Sequence, residues 1–327
     1  FNACLVYLLA YSFIRNHFDS KKALGISFFT ALLFAIHPVQ VETVCWISAS
    51  KIVLSTFFYL SALICYIQYM RNSKWQYLLA SGVSSILAMG CKEQSVIIVP
   101  CLLLFDWMLF KRNMRSLKVY IEKVYYLIPA IAIFIVTLVA NKNTGEEIIG
   151  YTIVDRFIFL CYSVFKYLLI SAIPFKLSYL YPFPFQVGEK IPMALWIYLF
   201  VILFIGYVIY LNRRKPLLVF CTLFFILHLL PVLHVIPLPR YVVAADRYLY
   251  IPYIAFAIGL SILSYHLYER QRKWILYAGF LYCSYLCVYT AGYAPAWKNS
   301  DTLKEHFKEV LKKRETNLSI NFKHEKQ

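Results

Sequence analysis

The chain has 327 residues, of which 61% are hydrophobic and 15% are charged, and its mean hydropathy is +0.64. Soluble domains carry about 25% charged residues, so this composition excludes a soluble globular protein. The net charge of +17 would fit a nucleic-acid partner only if the basic residues formed a patch or a stripe.

Apolar runs follow one another along most of the chain. Their length of roughly 15–22 residues is close to what a helix needs to cross a hydrocarbon core of about 30 Å. We predict an all-α polytopic membrane protein with about ten spans, near residues 1–14, 23–38, 52–70, 76–91, 94–110, 120–140, 192–211, 216–237, 248–266 and 274–292. The multi-span domain covers residues 1–296, and a basic extracytoplasmic tail covers residues 297–327.

The basic residues gather in alternate short loops. Sixteen of them form five sets, namely Arg15/Lys21/Lys22, Arg71/Lys74, Lys111/Arg112/Arg115/Lys118/Lys123, Arg213/Arg214/Lys215 and Arg270/Arg272/Lys273. The intervening loops, near 38–51, 91–93, 141–156, 174–191 and 238–247, carry far fewer. Because cytoplasmic loops carry an excess of Lys and Arg, the first group is predicted to be cytoplasmic and the second extracytoplasmic. The charge therefore indicates topology and not a nucleic-acid site.

Segment 157–173 interrupts this alternation. Both flanking loops are predicted to be extracytoplasmic, and the segment has Arg156 just before it and Lys166 at its centre. We predict an interfacial or re-entrant element here. The same topology places Phe1 on the outer side, inside an apolar run without an initiator Met, so we expect a truncated chain with at least one earlier span.

Three predicted outer connections contain polar and aromatic residues that could form a site. They carry His37, Glu42, Trp46 and Lys51; Lys92 and Glu93; and Tyr241, Asp246, Arg247 and Tyr250. An Arg fork suits a phosphate diester, a Lys supplies a point charge, and ionisable residues at membrane depth are often functional.

Each of these residues also has an ordinary structural interpretation. Lys92 and Glu93 could form a helix-end ion pair, Arg247 could pair structurally with Asp246, and Glu42 could be solvated. His37 before Pro38 could simply end a helix, Tyr248 and Tyr250 could be interfacial aromatics, and His228 and His234 could be core residues. Their shared compartment is the stronger argument for a site.

The order of the motifs resembles a known family. His37-Pro38-x-x-x-Glu42-x-Val44-x-Trp46-x-Ser48, then Lys92-Glu93, then Ala245-Asp246-Arg247-Tyr248-Leu249-Tyr250-x-Pro252 and Trp297-x-x-Ser300 are similar to the transmembrane and tetratricopeptide-repeat O-mannosyltransferases and their bacterial relatives. The resemblance implies a GT-C glycosyltransferase, which moves a sugar, mannose or another hexose, from a polyprenyl- or dolichyl-phosphate carrier to an extracytoplasmic protein Ser/Thr or glycan. The chain departs from the family pattern at Gln40, Ser50 and Ile52 and lacks the helical repeats.

The resemblance and the chemistry together assign roles. Arg247 and Lys92 are predicted to bind the donor phosphate, with Asp246 and Glu93 orienting them. The sugar or acceptor pocket would contain His37, Glu42, Trp46 and Tyr250. The acidic general base is expected before Phe1, and we expect neither a metal nor a cofactor, because the phosphate is already a leaving group.

Other functions remain open at this stage. An O-antigen ligase or polymerase would use a related lipid-linked donor, a flippase or transporter would place its polar groups nearer the midplane, and an inactive membrane scaffold would bind the donor without turnover. The Lys-, Tyr- and Ile-rich composition and the lack of repeats favour a bacterial plasma membrane as the location. In a eukaryote the corresponding location would be the endoplasmic reticulum membrane.

Overall fold

A computed structural model describes residues 1–141, 151–178, 180–234 and 242–308, and these residues are almost entirely helical. The helices are α1 (Asn2–Ile14), α2 (Ser20–Ile36), α3 (Val41–Cys45), α4 (Ser50–Asn72), α5 (Trp75–Cys91), α6 (Ile98–Met108), α7 (Leu117–Asn141), α8 (Ile153–Ala172), α9 (Trp196–Leu211), α10 (Pro216–Leu229), α11 (Pro252–Arg270) and α12 (Arg272–Tyr293). Short 3-10 turns join them, and no strand longer than the isolated bridge between Tyr181 and Ala244 occurs in these ranges. The chain is a helical membrane protein.

A helix overlaps each of the predicted apolar runs, although few helices could span a bilayer by length and composition alone. Among the described residues, four segments meet that standard, namely Ile47–Asn72, Leu117–Ala140, Met193–Leu211 and Arg272–Trp297. A fifth is reached if Ser20–Ile36 and Pro38–Cys45, bent by 53°, form one broken span. The count of about ten spans therefore stays a prediction.

One predicted boundary is wrong. The run 216–237 was expected to be a single span, but α10 ends at Leu229. Pro231 follows two residues later, and proline lacks the N–H that a continuing helix needs. Part of the run, residues 235–237, lies outside the described residues.

A buried charge network joins α4, α6 and α7. Asp106, which is fully buried, accepts hydrogen bonds from Tyr66 Oη at 2.6 Å and lies 2.6 Å from Lys123 Nζ and 3.3 Å from Arg112 Nη1. Arg112 also contacts Glu122 through both terminal nitrogens, at 2.5 and 3.1 Å. Two acids and two bases thus neutralise one another where desolvated charges must be paired.

The α8 helix begins at a capping box. The hydroxyl of Thr152 accepts the Asp155 N–H at 3.2 Å, and Asp155 Oδ2 accepts the Thr152 N–H at 2.7 Å. Further along the helix, Ser163 Oγ donates to the Val243 carbonyl at 3.1 Å, and Tyr167 Oη accepts the Ala245 N–H at 3.3 Å. Both contacts are with the segment that immediately precedes Asp246.

Residues 172–177 run beside α12. Tyr282 Oη donates to the Ala172 carbonyl at 2.9 Å, Tyr285 Oη donates to the Pro174 carbonyl, and Tyr289 Oη accepts the Leu177 N–H at 3.1 Å. Successive residues after α8 therefore contact positions nearer the C-terminal end of α12. The chain then returns to the segment before Asp246, where the Val243 N–H donates to the Tyr181 carbonyl at 2.9 Å. These contacts support an interfacial or re-entrant α8, which stays a prediction.

Candidate functional site

The site is built around a break after α2. His37 ends that helix in an extended conformation, as expected for a residue that precedes proline, and its Nδ1 accepts the Val39 N–H at 3.2 Å. A 3-10 turn at Pro38–Gln40 and the short helix α3 follow. This break turns α3 by 53° from α2 and directs Glu42 into the protein, where its side chain is fully buried.

Glu42 binds Arg247 through both of its carboxylate oxygens. Oε1 lies 2.5 Å from Arg247 Nη1, and Oε2 accepts the Arg247 backbone N–H at 2.8 Å. The Arg247 side chain is 19% exposed, whereas that of Glu42 is 0% exposed. One carboxylate thus fixes the backbone and the guanidinium of Arg247, because a hydrogen bond to a charged group is among the stronger ones.

Two cations lie near the same aromatic ring. The Arg247 guanidinium carbon is 5.0 Å from the Tyr248 ring centre and 5.6 Å from the Trp46 ring centre. Lys92 Nζ is 5.7 Å from the Tyr248 ring centre. Distances below about 6 Å fall within cation–π range, so these rings hold both cations in place without neutralising them.

Lys92 and Arg247 line a common cavity of about 40 Å³, together with Tyr248, Tyr250, Thr56, Tyr59 and His228 among others. A cavity of this size has room for one or two small groups such as water. Burial lowers the pKa of Lys92 to about 7, an effect that Arg247 reinforces and Glu93 opposes. The amino group of Lys92 therefore changes between its neutral and its charged form near neutral pH.

Asp246 is buried beside this pair of cations. Its Oδ1 accepts a hydrogen bond from Tyr181 Oη at 2.8 Å, and its Oδ2 has no hydrogen-bond partner among the described residues. Burial, and then the repulsion of Glu42, raise the pKa of Asp246 well above its usual value. Two buried carboxyl groups so close together favour protonation of one of them.

Further buried polar atoms surround the two carboxyl groups. Within the described ranges, the amide of Gln40 and the hydroxyl of Thr43 have no hydrogen-bond partner, and the Tyr293 hydroxyl interacts electrostatically with both carboxyl groups. Native interiors contain only a few such groups, and each needs a specific explanation. Their concentration next to a cation pair is typical of a site that binds a polar ligand.

The structure brings together some of the predicted site residues and separates others. Glu42, Trp46, Lys92 and Arg247 meet as described, and Tyr250 lines the same cavity while it accepts a hydrogen bond from Asn2 Nδ2 at 3.2 Å. His37 is instead fully buried against Tyr253, with their ring centres 4.3 Å apart. Tyr241 lies outside the described residues.

Neither predicted orienting residue forms an ion pair with its cation among the described residues, so the two orienting roles stay predictions. Arg247 takes Glu42 and not Asp246 as its carboxylate, because Asp246 is turned toward Tyr181. Glu93 is exposed at the start of a 3-10 turn, and in the part of the chain that the structure describes no ion pair shorter than 4 Å joins it to Lys92. Glu42 was expected in a sugar pocket, and it is the residue that positions the phosphate-binding candidate.

Sequence reasoning missed two contributors. Tyr181 was not singled out, and Tyr248 was weighed only as an interfacial aromatic. The chain contains 28 Tyr, so residue type gives no signal, and only the three-dimensional fold shows that these two contact Asp246 and the cations. No cluster of three or more His, Cys, Asp or Glu side chains that could hold a metal occurs in the described ranges.

Comparisons with known proteins agree with the motifs. The family described as "Dolichyl-phosphate-mannose-protein mannosyltransferase" matches residues 3–140. "Protein O-mannosyl-transferase TMTC2" from Homo sapiens and the protein of the same name from Mus musculus are each 30% identical over 118 residues. Those alignments cover 33% of this chain and 14% of each relative. No solved structure matches the chain.

These matches confirm the resemblance to the O-mannosyltransferases that the motifs predicted. The region matched by the family contains Glu42, Trp46 and Lys92, and it ends before Asp246 and Arg247.

Proposed function

We propose that this chain is the membrane core of a GT-C glycosyltransferase that moves mannose, or another hexose, from a polyprenyl- or dolichyl-phosphate carrier to a protein or glycan acceptor outside the cytoplasm. The observation that carries the proposal is the pair of cations, Arg247 and Lys92, which lie 5.0 and 5.7 Å from the Tyr248 ring centre and line one cavity. The resemblance to dolichyl-phosphate-mannose-dependent enzymes supports this choice of donor.

Transfer from such a donor breaks the bond between the sugar and a phosphate diester. Negative charge then grows on the departing phosphate, and two pre-positioned cations stabilise that charge more in the transition state than in the ground state. Arg247 can offer two parallel N–H groups, although one terminal nitrogen already faces Glu42. Lys92 adds a point charge 5.7 Å from the centre of the same Tyr248 ring.

The remaining buried polar groups fit a sugar or an acceptor. Trp46, whose ring lies 5.6 Å from the guanidinium carbon of Arg247, offers an apolar face next to the phosphate position. Gln40, Thr43 and Tyr293 offer buried hydrogen-bonding atoms close to Glu42 and Asp246.

The location stays part of the proposal. The outer face of a bacterial plasma membrane was predicted from composition. The two relatives reported are mammalian proteins, and for a eukaryotic protein the corresponding location is the endoplasmic reticulum membrane.

Mannosyl transfer can be measured with the purified chain in lipid nanodiscs, supplied with polyprenyl-phosphate [³H]mannose and an acceptor peptide rich in Ser and Thr. Lys92→Gln is the informative variant, because Lys92 is half-buried and forms no ion pair in the described ranges whose loss would unfold the protein. We expect a loss of at least about tenfold in kcat/KM, as for other single electrostatic contacts in transition states.

Lys190→Gln is the matched control, because it removes the same charge from an exposed position in a predicted outer loop. Equal activity of both variants would remove Lys92 from the site. Donor binding without any turnover would favour the inactive scaffold over the enzyme.

A further inference from the structure

A second cavity lies away from the candidate site, between α2, α11 and α12. It has a volume of about 660 Å³, and its lining is almost wholly apolar, with Ile26, Phe29, Leu260, Leu276 and Phe280 among its residues. It forms because the first half of α12 stands apart from the bundle: the buried residues of that helix are Leu286 and Tyr293, both in its second half.

The cavity extends over about half the membrane. Its lining residues on α12 run from Ile275 to Cys283, and those on α11 run from Phe256 to Tyr268. At about 1.5 Å of rise per residue these stretches are about 12 and 18 Å long, close to the roughly 15 Å of hydrocarbon in one leaflet. The lined ends lie next to the basic loops, so the cavity occupies the leaflet that the charge distribution predicts to be cytoplasmic.

The mouth of the cavity is cationic. Tyr265 and Tyr268 line it, and Lys22 Nζ lies 5.6 Å from the first ring centre while the Arg272 guanidinium carbon lies 5.9 Å from the second. The charged residues of the two segments that form the mouth are Asp19, Lys21, Lys22, Glu269, Arg270, Arg272 and Lys273, so the bases outnumber the acids.

The two acids do not neutralise the whole mouth. Both contact Lys22, with Glu269 at 3.1 Å and Asp19 at 3.8 Å. Arg272 has no carboxylate within 4 Å among the described residues, and Lys273 beside it is exposed. An apolar channel one leaflet deep below these cations matches a lipid with an anionic headgroup.

We propose that this cavity binds an anionic phospholipid of the cytoplasmic leaflet, with an acyl chain along α11 and α12 and the phosphate near Arg272 and Lys273. Basic pockets between membrane helices on this side recognise such headgroups. The bound lipid would fill the gap between α12 and the bundle and so support the outer half of α12, where Tyr289 contacts Leu177. The proposal does not depend on the glycosyltransferase function.

Native mass spectrometry of the full chain released from nanodiscs tests the headgroup. Wild type is expected to retain phosphatidylglycerol in preference to phosphatidylcholine. The double variant Arg272→Gln/Lys273→Gln should reduce that preference by roughly 25-fold, since each basic residue near an anionic surface contributes about fivefold. Arg213→Gln/Arg214→Gln, the matched control, removes the same charge from another predicted cytoplasmic loop and should retain the preference.

Filling the cavity tests the acyl chain. Gly279 lines it, and a Cβ added there would meet no atom within 4 Å, so the side chain of Gly279→Leu should enter the cavity and expel the lipid whatever its headgroup. Gly206→Leu on α9 is the matched control, because that glycine also has open space around it. Equal lipid retention by the two leucine variants, or by the two double variants, would overturn the proposal. Retention of undecaprenyl phosphate in preference to phosphatidylglycerol by wild type, and loss of that retention in Gly279→Leu, would overturn it in favour of the donor chain.

Discussion

Replacing Arg247 by methionine tests whether the pair with Glu42 holds the site together. The carboxylate of Glu42 is fully buried, so the variant leaves it with the Arg247 backbone N–H as its remaining hydrogen-bond donor in the described structure. At an effective dielectric constant of about 20, two unit charges roughly 3 Å apart attract by about 5–6 kcal/mol. Desolvation offsets much of this in the intact pair, but removing one partner of a buried pair costs about 3–5 kcal/mol.

Glu42→Gln should cost less than Arg247→Met. The amide oxygen still accepts a hydrogen bond, and the guanidinium, being 19% exposed, can partly reach water. We expect a cost of about 1.5–3 kcal/mol, the usual contribution of a hydrogen bond to a charged group. The double variant should be more stable than the sum of the single effects predicts, by about 1–3 kcal/mol, because no unpaired charge is left in it.

The assay is the free energy of unfolding from SDS titration in mixed micelles, followed by tryptophan fluorescence. Additivity of the two changes to within about 0.5 kcal/mol would refute the reasoning, since it would mean that the two side chains do not interact energetically. A double variant that regains stability and still lacks transfer activity would separate the structural role of Arg247 from its proposed contact with phosphate.

Three further predictions concern the surroundings of the pair. The pKa of Lys92 is about 7, and its charged ammonium form predominates only below that value, so kcat/KM for mannosyl transfer should fall as the pH rises through about 7. The variant Lys92→Arg should move this fall to much higher pH. An unchanged pH profile in Lys92→Arg would assign the titration to another group. Tyr181→Phe removes the hydrogen bond to Asp246, and it should lower kcat, measured at saturating donor, more than it raises KM. Unchanged kinetics would mean that Tyr181 contributes only to packing. The introduced thiol of Lys190→Cys should react with an impermeant maleimide added outside intact cells. Reaction of this thiol only after permeabilisation would contradict the interfacial or re-entrant α8.

Much of the fold follows from the sequence because hydrophobic length and charge alternation are local properties. Every predicted apolar run contains a helix. The compartment predicted for each candidate loop rests on the lengths of these runs and on the counts of Lys and Arg in the loops. The short helix α3 was missed, because five residues between two spans carry too little periodicity to differ from a loop. The end of α10 was misplaced because Pro231 lies inside a continuous apolar run.

The contacts inside the site could not be predicted in the same way. Arg247 was paired with its neighbour Asp246, although its partner Glu42 lies 205 positions away, and Asp246 turns to Tyr181, 65 positions away. A single sequence contains no information about contacts at such separations unless the packing of the helices is known. Residue type and predicted compartment therefore indicated the candidate site residues, and the fold determined which of these residues contact one another.

The contact between Glu42 and Arg247 links the region matched by the family to a segment outside it. The match ends at residue 140, yet Glu42, which lies inside it, binds the backbone of Arg247 as well as its side chain. The matched region thus contacts the segment before α11, and α8 contacts the same segment through Tyr167 and Ser163. The position of Arg247 relative to Lys92 therefore depends on both α3 and α8. Because Lys166 of α8 also lies 5.2 Å from the ring centre of Tyr181, which binds Asp246, changes in α8 should alter the site.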